Sequence, residues 1–320
     1  MIKIGISDCL LGTQCRFDGG HAEEKFITII LSKYFKFIPF CPEEQILGHP
    51  RETMHLIRDE NGILKAAGNK TMNDYTDELK LYAEETIEEL RREKICGYIL
   101  KSKSPSCGMK NVKVYSHSGG HKAKIASASG IYAQKIIDNF EFLPIEEEGR
   151  LNDSWLRENF IMQVYAYSDI QNFSEKAIKI NELVKFHQDY KFLLLSKSQK
   201  NYRILGKIVA NHENHHFSEV LNKYKNLFLS TIACKGTVKN AVNVLHHILG
   251  FLKDFLSSEE KAEILSSIEE FRNKIVPIIV PIKLLKLYSK KYNIEYIKNQ
   301  KFLAPYPEEL GLRSNLDAYC

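Results

Sequence analysis

Apolar and polar residues alternate over 2–7, with Ile2, Ile4 and Ile6 on one face, so a β-strand opens the chain. Short apolar runs at 37–40 and 95–100 read as buried strands. Residues 23–34 and 76–94 carry apolar positions at helical spacing, the second segment being rich in Glu and Leu and capped near Asp74. Asn61-Gly62, within 57–65, predicts a tight hairpin. Farther along, 113–116 predicts a brief extension, 123–139 a helix and 140–143 a last short strand. Strands alternating with helices predict a Rossmann-like, three-layer α/β domain with a parallel sheet.

Beyond about residue 171 the texture changes. Segments 178–195, 201–211, 217–233, 238–255, 258–274 and 280–291 all place apolar residues at helical spacing, which predicts an all-α domain. Glu146-Glu147-Glu148-Gly149-Arg150 reads as a charged connector, and Asn152-Asp153-Ser154 offers a cap for a helix over 155–167. The expected organisation is therefore an α/β domain at 1–150, a connecting helix at 151–170 and an all-α domain at 171–320.

Length and composition agree with two soluble domains, since 320 residues exceed the usual size of one core and 27% are charged. Asp8 interrupts the N-terminal apolar stretch, which argues against a secretory signal. The longest mostly apolar run, 275–285, is too short for a bilayer and is broken by Pro277, Pro281 and Lys283. No membrane partner is expected, and the expected location is cytoplasmic. Charge is uneven. Residues 171–320 carry 23 Lys and Arg against 15 Asp and Glu, whereas residues 1–170 carry 22 against 25. A basic second half suits a polyanionic partner, although many basic domains owe only their solubility to such charge.

Seven cysteines without dense regular spacing argue against a disulfide framework in a reducing compartment. Three of them lie in the turns that follow predicted strands: Cys9, Cys41 and Cys107. Ligands of open α/β sheets collect at the carboxyl ends of strands, so these three predict one shared site. On residues alone they admit four readings: zinc ligands, ligands of an iron–sulfur cluster, thiol nucleophiles or bystanders. A structural zinc site takes four ligands, often in paired C-x-x-C knuckles, and this chain has no such pair. Three thiolates leave one metal position open, as coordination of a substrate requires. Cys15 offers a fourth ligand or is merely an extra thiol in the same loop. Cys96 fits a small buried hydrophobe, and Cys234 and Cys320 lie away from the strand ends.

Glu43 lies two residues after Cys41, and Ser104 three before Cys107. A carboxylate and a hydroxyl beside a metal suit general acid–base work, against the blander readings of a solvated loop residue and a turn-stabilising hydroxyl. In the loop 101–108, Pro105 fixes one φ angle and Gly108 is expected to adopt a conformation other residues avoid.

The set Cys9-Leu10-Leu11-Gly12, Arg16-Phe17-Asp18-Gly19-Gly20, Cys41-Pro42-Glu43, Pro50-Arg51 and Ser104-Pro105-Ser106-Cys107-Gly108 resembles the thiouracil desulfidase (TudS-like) family over residues 1 to about 145. The resemblance implies a Rossmann-like fold and a [4Fe–4S] cluster held by Cys9, Cys41 and Cys107. It also implies Glu43 and Ser104 as the acid–base residues, and leaves open whether Cys15 caps the fourth iron. Leu183-Val184-Lys185-Phe186-His187-Gln188-Asp189-Tyr190-Lys191, Tyr202-Arg203-Ile204-Leu205-Gly206 and Pro305-Tyr306-Pro307 resemble the YbgA-type helical domain found fused to desulfidase domains. Fused members include the tRNA 4-thiouridine desulfidase (RudS-like) group.

What the resemblance implies is an iron–sulfur enzyme that removes sulfur without redox change from 4-thiouridine in tRNA, giving uridine and hydrosulfide. The alternatives are the same chemistry on a free thiopyrimidine base or nucleotide, and a non-catalytic metal-binding sensor closed by Cys15. Arg51 is a substrate contact or a structural ion pair. Lys185, His187, Lys191, Arg203, Lys207, Lys290, Lys291 and Arg313 are the expected tRNA contacts, each weighed against an ordinary solvated face.

Overall fold

A computed structural model describes residues 1–116, 124–210 and 216–316. It resolves into two compact units, Met1–Asn152 and Asp153–Cys320.

The first unit is built on a wholly parallel sheet. Strand β1 (Ile2–Ser7) is central, and β2 (Phe35–Phe40) pairs with it along its whole length. The chain then forms the short helix α1 (Pro42–Leu47), a hairpin of β3 (Met54–Arg58) and β4 (Leu64–Gly68), and the long helix α2 (Thr76–Arg92). It returns to the opposite side of β1 as β5 (Tyr98–Leu100). Next come β6 (Val112–Ser116), β7 (Lys124–Ala128), helix α3 (Ile131–Asn139) and β8 (Ile145–Glu147). The strand order is β2-β1-β5-β8. Connectivity therefore reverses between β1 and β5, and at that switch point the carboxyl ends of the strands open a crevice. Helices α2 and α3 pack together, and the right-handed rule for parallel crossovers predicts the β1–β2 connection on the opposite face of the sheet.

Several expectations shift. The segment 23–34 forms a π-helical turn at Phe26–Ile30 and a tighter turn at Leu31–Lys33 instead of an α-helix. The run Ile27-Thr28-Ile29-Ile30 is β-branched throughout, and such side chains crowd a regular helix. The expected hairpin is present, and its Asp59 carboxylate accepts from Asn61 N and Ile63 N. It belongs to a second, mixed sheet of order β4-β3-β6-β7 that the sequence pattern did not predict. The helix expected over 123–139 begins only at Ile131: residues 124–128 pair antiparallel with β6, and residue 123 lies outside the described residues. The last strand lies at 145–147 rather than 140–143, so Glu146 and Glu147 belong to the sheet instead of a connector.

The second unit is helical: α4 (Ser154–Lys176), α5 (Ile180–Lys197), α6 (Gln199–Ala210), α7 (Phe217–Ala233), α8 (Val238–Leu252), α9 (Ser258–Arg272), α10 (Ile279–Lys291) and the single turn α11 (Glu295–Lys298). Residue 211, the expected end of the helix from 201, lies outside the described residues, as does Cys320. Asp153 caps α4 by accepting from Leu156 N, and the helix expected as a connector is part of this unit. Thr237 and Ser257 cap α8 and α9 in the same way. Phe186 anchors an aromatic cluster with Phe173, Tyr190 and Phe228, whose ring centroids lie 4.6–5.4 Å away. Among the described residues no helix is long and apolar enough to cross a membrane.

Candidate active site

Cys9, Cys41 and Cys107 each follow the carboxyl end of a parallel strand, and all three line one cavity of about 350 Å³. Cys15, Glu43, Arg51, Ser104 and Ser106 line it too. The three expected ligands and the two expected acid–base residues thus converge, as strand-end placement requires.

Local structure explains each position. Cys9 sits in the tight turn Asp8–Leu11, and the Ala22 and Glu24 N–H groups donate to Cys9 O and Leu10 O. Those bonds fold the long loop back on itself and leave Cys15 almost fully buried. Cys41 is the N-cap of α1, with Pro42 at the first helical position and Glu43 and Glu44 in the first turn. The loop 101–109 is held from several sides. Lys101 N donates to Ser7 Oγ, Ser102 N to Glu148 Oε2 at 2.7 Å, and Met109 N to Glu147 Oε1 at 2.8 Å. The first N–H groups of α3, which have no partner in their own helix, donate to Pro105 O and Ser106 O.

Gly108 serves this loop differently from expectation, since its φ is not positive. A side chain there would place Cβ 2.4 Å from Val112 Cγ2 and 2.8 Å from Ser104 O, so close approach excludes one. The left-handed residue of the loop is Lys103, at φ 62°.

Three oxygens form a hydrogen-bonded triangle. Ser104 Oγ is 2.9 Å and Ser106 Oγ 2.6 Å from Glu43 Oε1, and the two hydroxyls are 2.8 Å apart. Ser104 Oγ also accepts from Cys107 N and Ser106 N, which turns its proton toward Glu43. Two hydroxyl protons serve three contacts, so a proton reaching the carboxylate can pass along the ring. Arg51 lies 3.6 Å from Glu43 Oε2 and donates to Cys15 O at 2.5 Å. Its side chain is 3% exposed, and its Nε and Nη1 have no hydrogen-bond partner among the described residues.

The thiols are crowded. A hydrogen bond from Cys41 pulls the Cys15 pKa down, but the bond with Cys9, burial and nearby negative charge push it up to about 12. Cys41 is pushed up by its bond with Cys15 and by burial. Burial, then the Glu43 charge, pushes Cys107 up to about 12. These groups are neutral thiols near pH 7, and a metal must displace their protons to bind. Cys15 Sγ, Cys41 Sγ and a Glu44 carboxylate oxygen lie within 4.8 Å of one another, a group able to hold a metal ion. The set is soft and sulfur-rich. That chemistry fits an iron–sulfur or thiophilic metal centre.

Sequence reasoning missed Ser106, Ser7, Glu147 and Glu148. Glu147 and Glu148 are buried and receive the N–H groups of the cysteine loop. The available signal was the Glu run 146–148 at the end of the last strand, masked by setting that strand five residues too early.

In the helical unit Lys185, Arg203, Lys207, Lys290 and Lys291 are exposed. Lys185 faces Asp189, and Lys291 pairs with Glu260 at 2.8 Å. Lys191 lies 5.3–5.8 Å from the ring centroids of Phe192, Phe251 and Tyr296. His187 is largely enclosed, stacked on Tyr202 and 3.2 Å from Tyr224 Oη, and burial pushes its pKa down to about 4. Arg313 departs from expectation. It is 4% exposed and bonds Glu158 at 3.0 Å inside the unit, so it is a structural residue rather than an RNA contact.

Comparison with known proteins follows this division. The family model for 2-thiouracil desulfurase matches residues 4–148, and that for DUF1722, a protein family of unknown function, matches residues 191–307. The uncharacterized protein YbgA of Escherichia coli K12 is 24% identical over 165 residues, covering 51% of this chain and 95% of YbgA. The uncharacterized protein YbbK of Bacillus subtilis 168 is 29% identical over 135 residues, covering 40% of this chain and 85% of YbbK. A solved [4Fe-4S]-dependent thiouracil desulfidase, TudS, is 24% identical, covering 48% of this chain and 94% of its own, with a TM-score of 0.36. With four cysteine thiols at the switch point of its first sheet and a helical second unit, the chain is similar to a 2-thiouracil desulfurase domain followed by a DUF1722 domain.

Proposed function

We propose that the chain is a [4Fe–4S]-dependent desulfidase that replaces the sulfur of 4-thiouridine in tRNA by oxygen, without redox change. One observation carries this reading: Cys9, Cys41 and Cys107 share a cavity with the Glu43–Ser104–Ser106 triangle. A cluster held by those three thiolates would supply one open iron, a soft Lewis acid for the thiocarbonyl sulfur. Glu43 takes a proton from the water that adds to the ring carbon. The ring of Ser104 and Ser106 carries that proton toward the departing sulfur, so water plus thiocarbonyl yields carbonyl plus hydrosulfide. Arg51, 3.6 Å from Glu43 Oε2, holds that carboxylate in place. The basic helical domain gives a tRNA substrate its phosphate contacts through Lys185, Lys191, Arg203, Lys207, Lys290 and Lys291, and binding then weakens steeply with salt. The expected location is the cytoplasm, where thiols stay reduced.

The test is anaerobic purification with iron and sulfide analysis, then parallel assay of 4-thiouridine-containing tRNA and 4-thio-UMP by loss of near-ultraviolet thiocarbonyl absorbance. Turnover of tRNA is the expected result. Loss from 4-thio-UMP alone would move the substrate to free nucleotides, the second choice. A third reading, a closed metal-binding site without turnover, draws on the proximity of Cys15, Cys41 and Glu44, and predicts loss from neither.

A further inference from the structure

We propose that the helical unit carries a stacking surface for unpaired RNA, built from two facing rows of aromatic rings at the end of α8 and along α10 and α11. This rests on the tRNA reading above and names the part of that partner held there: nucleotides whose bases are free to stack. Phe251, in the last turn of α8, and Phe255, just past it, form one row. Tyr288 on α10, Tyr292 at its C-cap and Tyr296 on α11 form the other. Each row repeats every four residues, a spacing that brings side chains to one side of a helix. The rows meet ring to ring. Phe251 lies 5.1 Å from Tyr296 and Phe255 5.7 Å from Tyr292, and Tyr288 stacks on Tyr292 at 6.4 Å.

Packing between the helices does not account for these rings. Phe251 is 44% and Phe255 51% exposed, so each keeps about half of a large apolar side chain in water. Tyr288, Tyr292 and Tyr296 are half-buried beside them. Clustered apolar rings of this kind stay wet unless a partner covers them.

The charge around the rows selects the partner. Residues 279–299 carry five Lys against one Glu. Lys191 lies within 5.8 Å of the Phe251 and Tyr296 ring centroids, and Lys291 4.9 Å from that of Tyr292. Lys291 is paired with Glu260, and Lys283 and Lys286 share Glu308. Lys191, Lys253 and Lys290 have no carboxylate partner among the described residues. Flat rings interleaved with free ammonium groups match a strand that offers a base and a phosphate at every nucleotide. A duplex keeps its bases stacked on one another, so only unpaired nucleotides can use the rings.

The full-length protein is titrated by fluorescence anisotropy with a labelled single-stranded oligoribonucleotide of about ten nucleotides, within the usual span of a stacking groove. The same strand annealed to its complement is titrated in parallel. Phosphate contacts alone predict that the more highly charged duplex binds at least as tightly, whereas stacking predicts that the single strand binds better. F251A and F255A should each weaken single-strand binding about 5- to 150-fold, the weight of one stacked base, and leave its salt dependence unchanged. K290A should instead flatten the salt dependence. F255W should keep the affinity, and its indole emission, read over that of Trp155, the chain's one tryptophan, should be quenched by the bound strand. Duplex binding as tight as single-strand binding, with F251A and F255A unaffected, overturns the proposal, as does F255W emission that the bound strand leaves unchanged. A dimer that F251A and F255A disperse overturns it too, and gives the face to a second copy of the chain. Binding is read without turnover, so ring-dependent binding with no desulfuration of any substrate keeps the surface and loses the desulfidase reading. Desulfuration of tRNA with a kcat/KM that ignores F251A and F255A loses the surface alone.

Discussion

Ser106 Oγ lies 2.6 Å from Glu43 Oε1, closer than the 2.9 Å of Ser104 Oγ. The two hydroxyls also bond each other, so neither acts on the carboxylate alone. Ser106→Ala and Ser104→Ala should each lower kcat/KM on a thiouracil-type substrate by roughly 10²-fold, the usual weight of one positioned proton donor. The double variant should cost little more than either single one, since both break one relay. Full additivity of the two losses would show two independent roles.

The Cys41 thiol donates to Cys15 O at 3.7 Å, and Cys9 and Cys41 both shift the Cys15 pKa. Under the proposed function, Cys9→Ser, Cys41→Ser and Cys107→Ser lose iron and acid-labile sulfide, whereas Cys15→Ser retains both. Equal metal loss from Cys15→Ser would favour the closed four-ligand site. Because the thiols are held protonated, iron loading should improve as pH rises and release protons as it proceeds, measurable by titration in weak buffer.

Glu148 accepts from Ser102 N and Ser102 Oγ and pairs with Lys101, tying the cysteine loop to the end of β8. Burial opposes its charge, but Lys101 and the Ser102 donors outweigh that and hold its pKa below the ordinary value. A carboxylate depressed in the folded state adds stability above its unfolded pKa and loses it as pH falls through the folded one. Glu148→Ala should cost about 1–3 kcal/mol near neutrality. The deficit against wild type, read by urea unfolding, should shrink as pH drops below about 4.

His187 shows the opposite group under the same rule. Burial, and then the Lys191 charge, depress its pKa to about 4, so the unfolded chain binds the proton first. Stability of the helical unit should fall as pH drops from about 6.5 to 4, by on the order of 3 kcal/mol at the limit. His187→Phe should flatten that slope. An unchanged slope would assign the acid sensitivity elsewhere.

Arg313 and Glu158 form an ion pair with side chains 4% and 1% exposed, and Tyr306 donates to the same Glu158 oxygen. Arg313→Ala leaves a buried carboxylate unmatched and should cost about 3–5 kcal/mol, visible as a lower Tm. Arg203→Ala and Lys207→Ala, at exposed positions, should leave Tm nearly unchanged while weakening tRNA binding and flattening its salt dependence.

The sequence by itself determined the α/β and all-α halves, because strand alternation and helical spacing are local signatures of which face is buried. It also determined the cysteine positions: Cys9, Cys41 and Cys107 each lie on the connection that follows an apolar run, and strand ends in a parallel sheet must gather at one edge. Local pattern could not place the second sheet, since β3–β6 pairing joins Leu56 to Val114 across 58 residues of chain. It could not reveal Ser106 at Glu43, or Glu148 beneath the cysteine loop, for the same reason. Nor could charge alone separate Lys290 at the surface from Arg313 in the interior. Tertiary structure decided those four matters, because a side chain's partners and its access to water depend on chain segments distant in sequence.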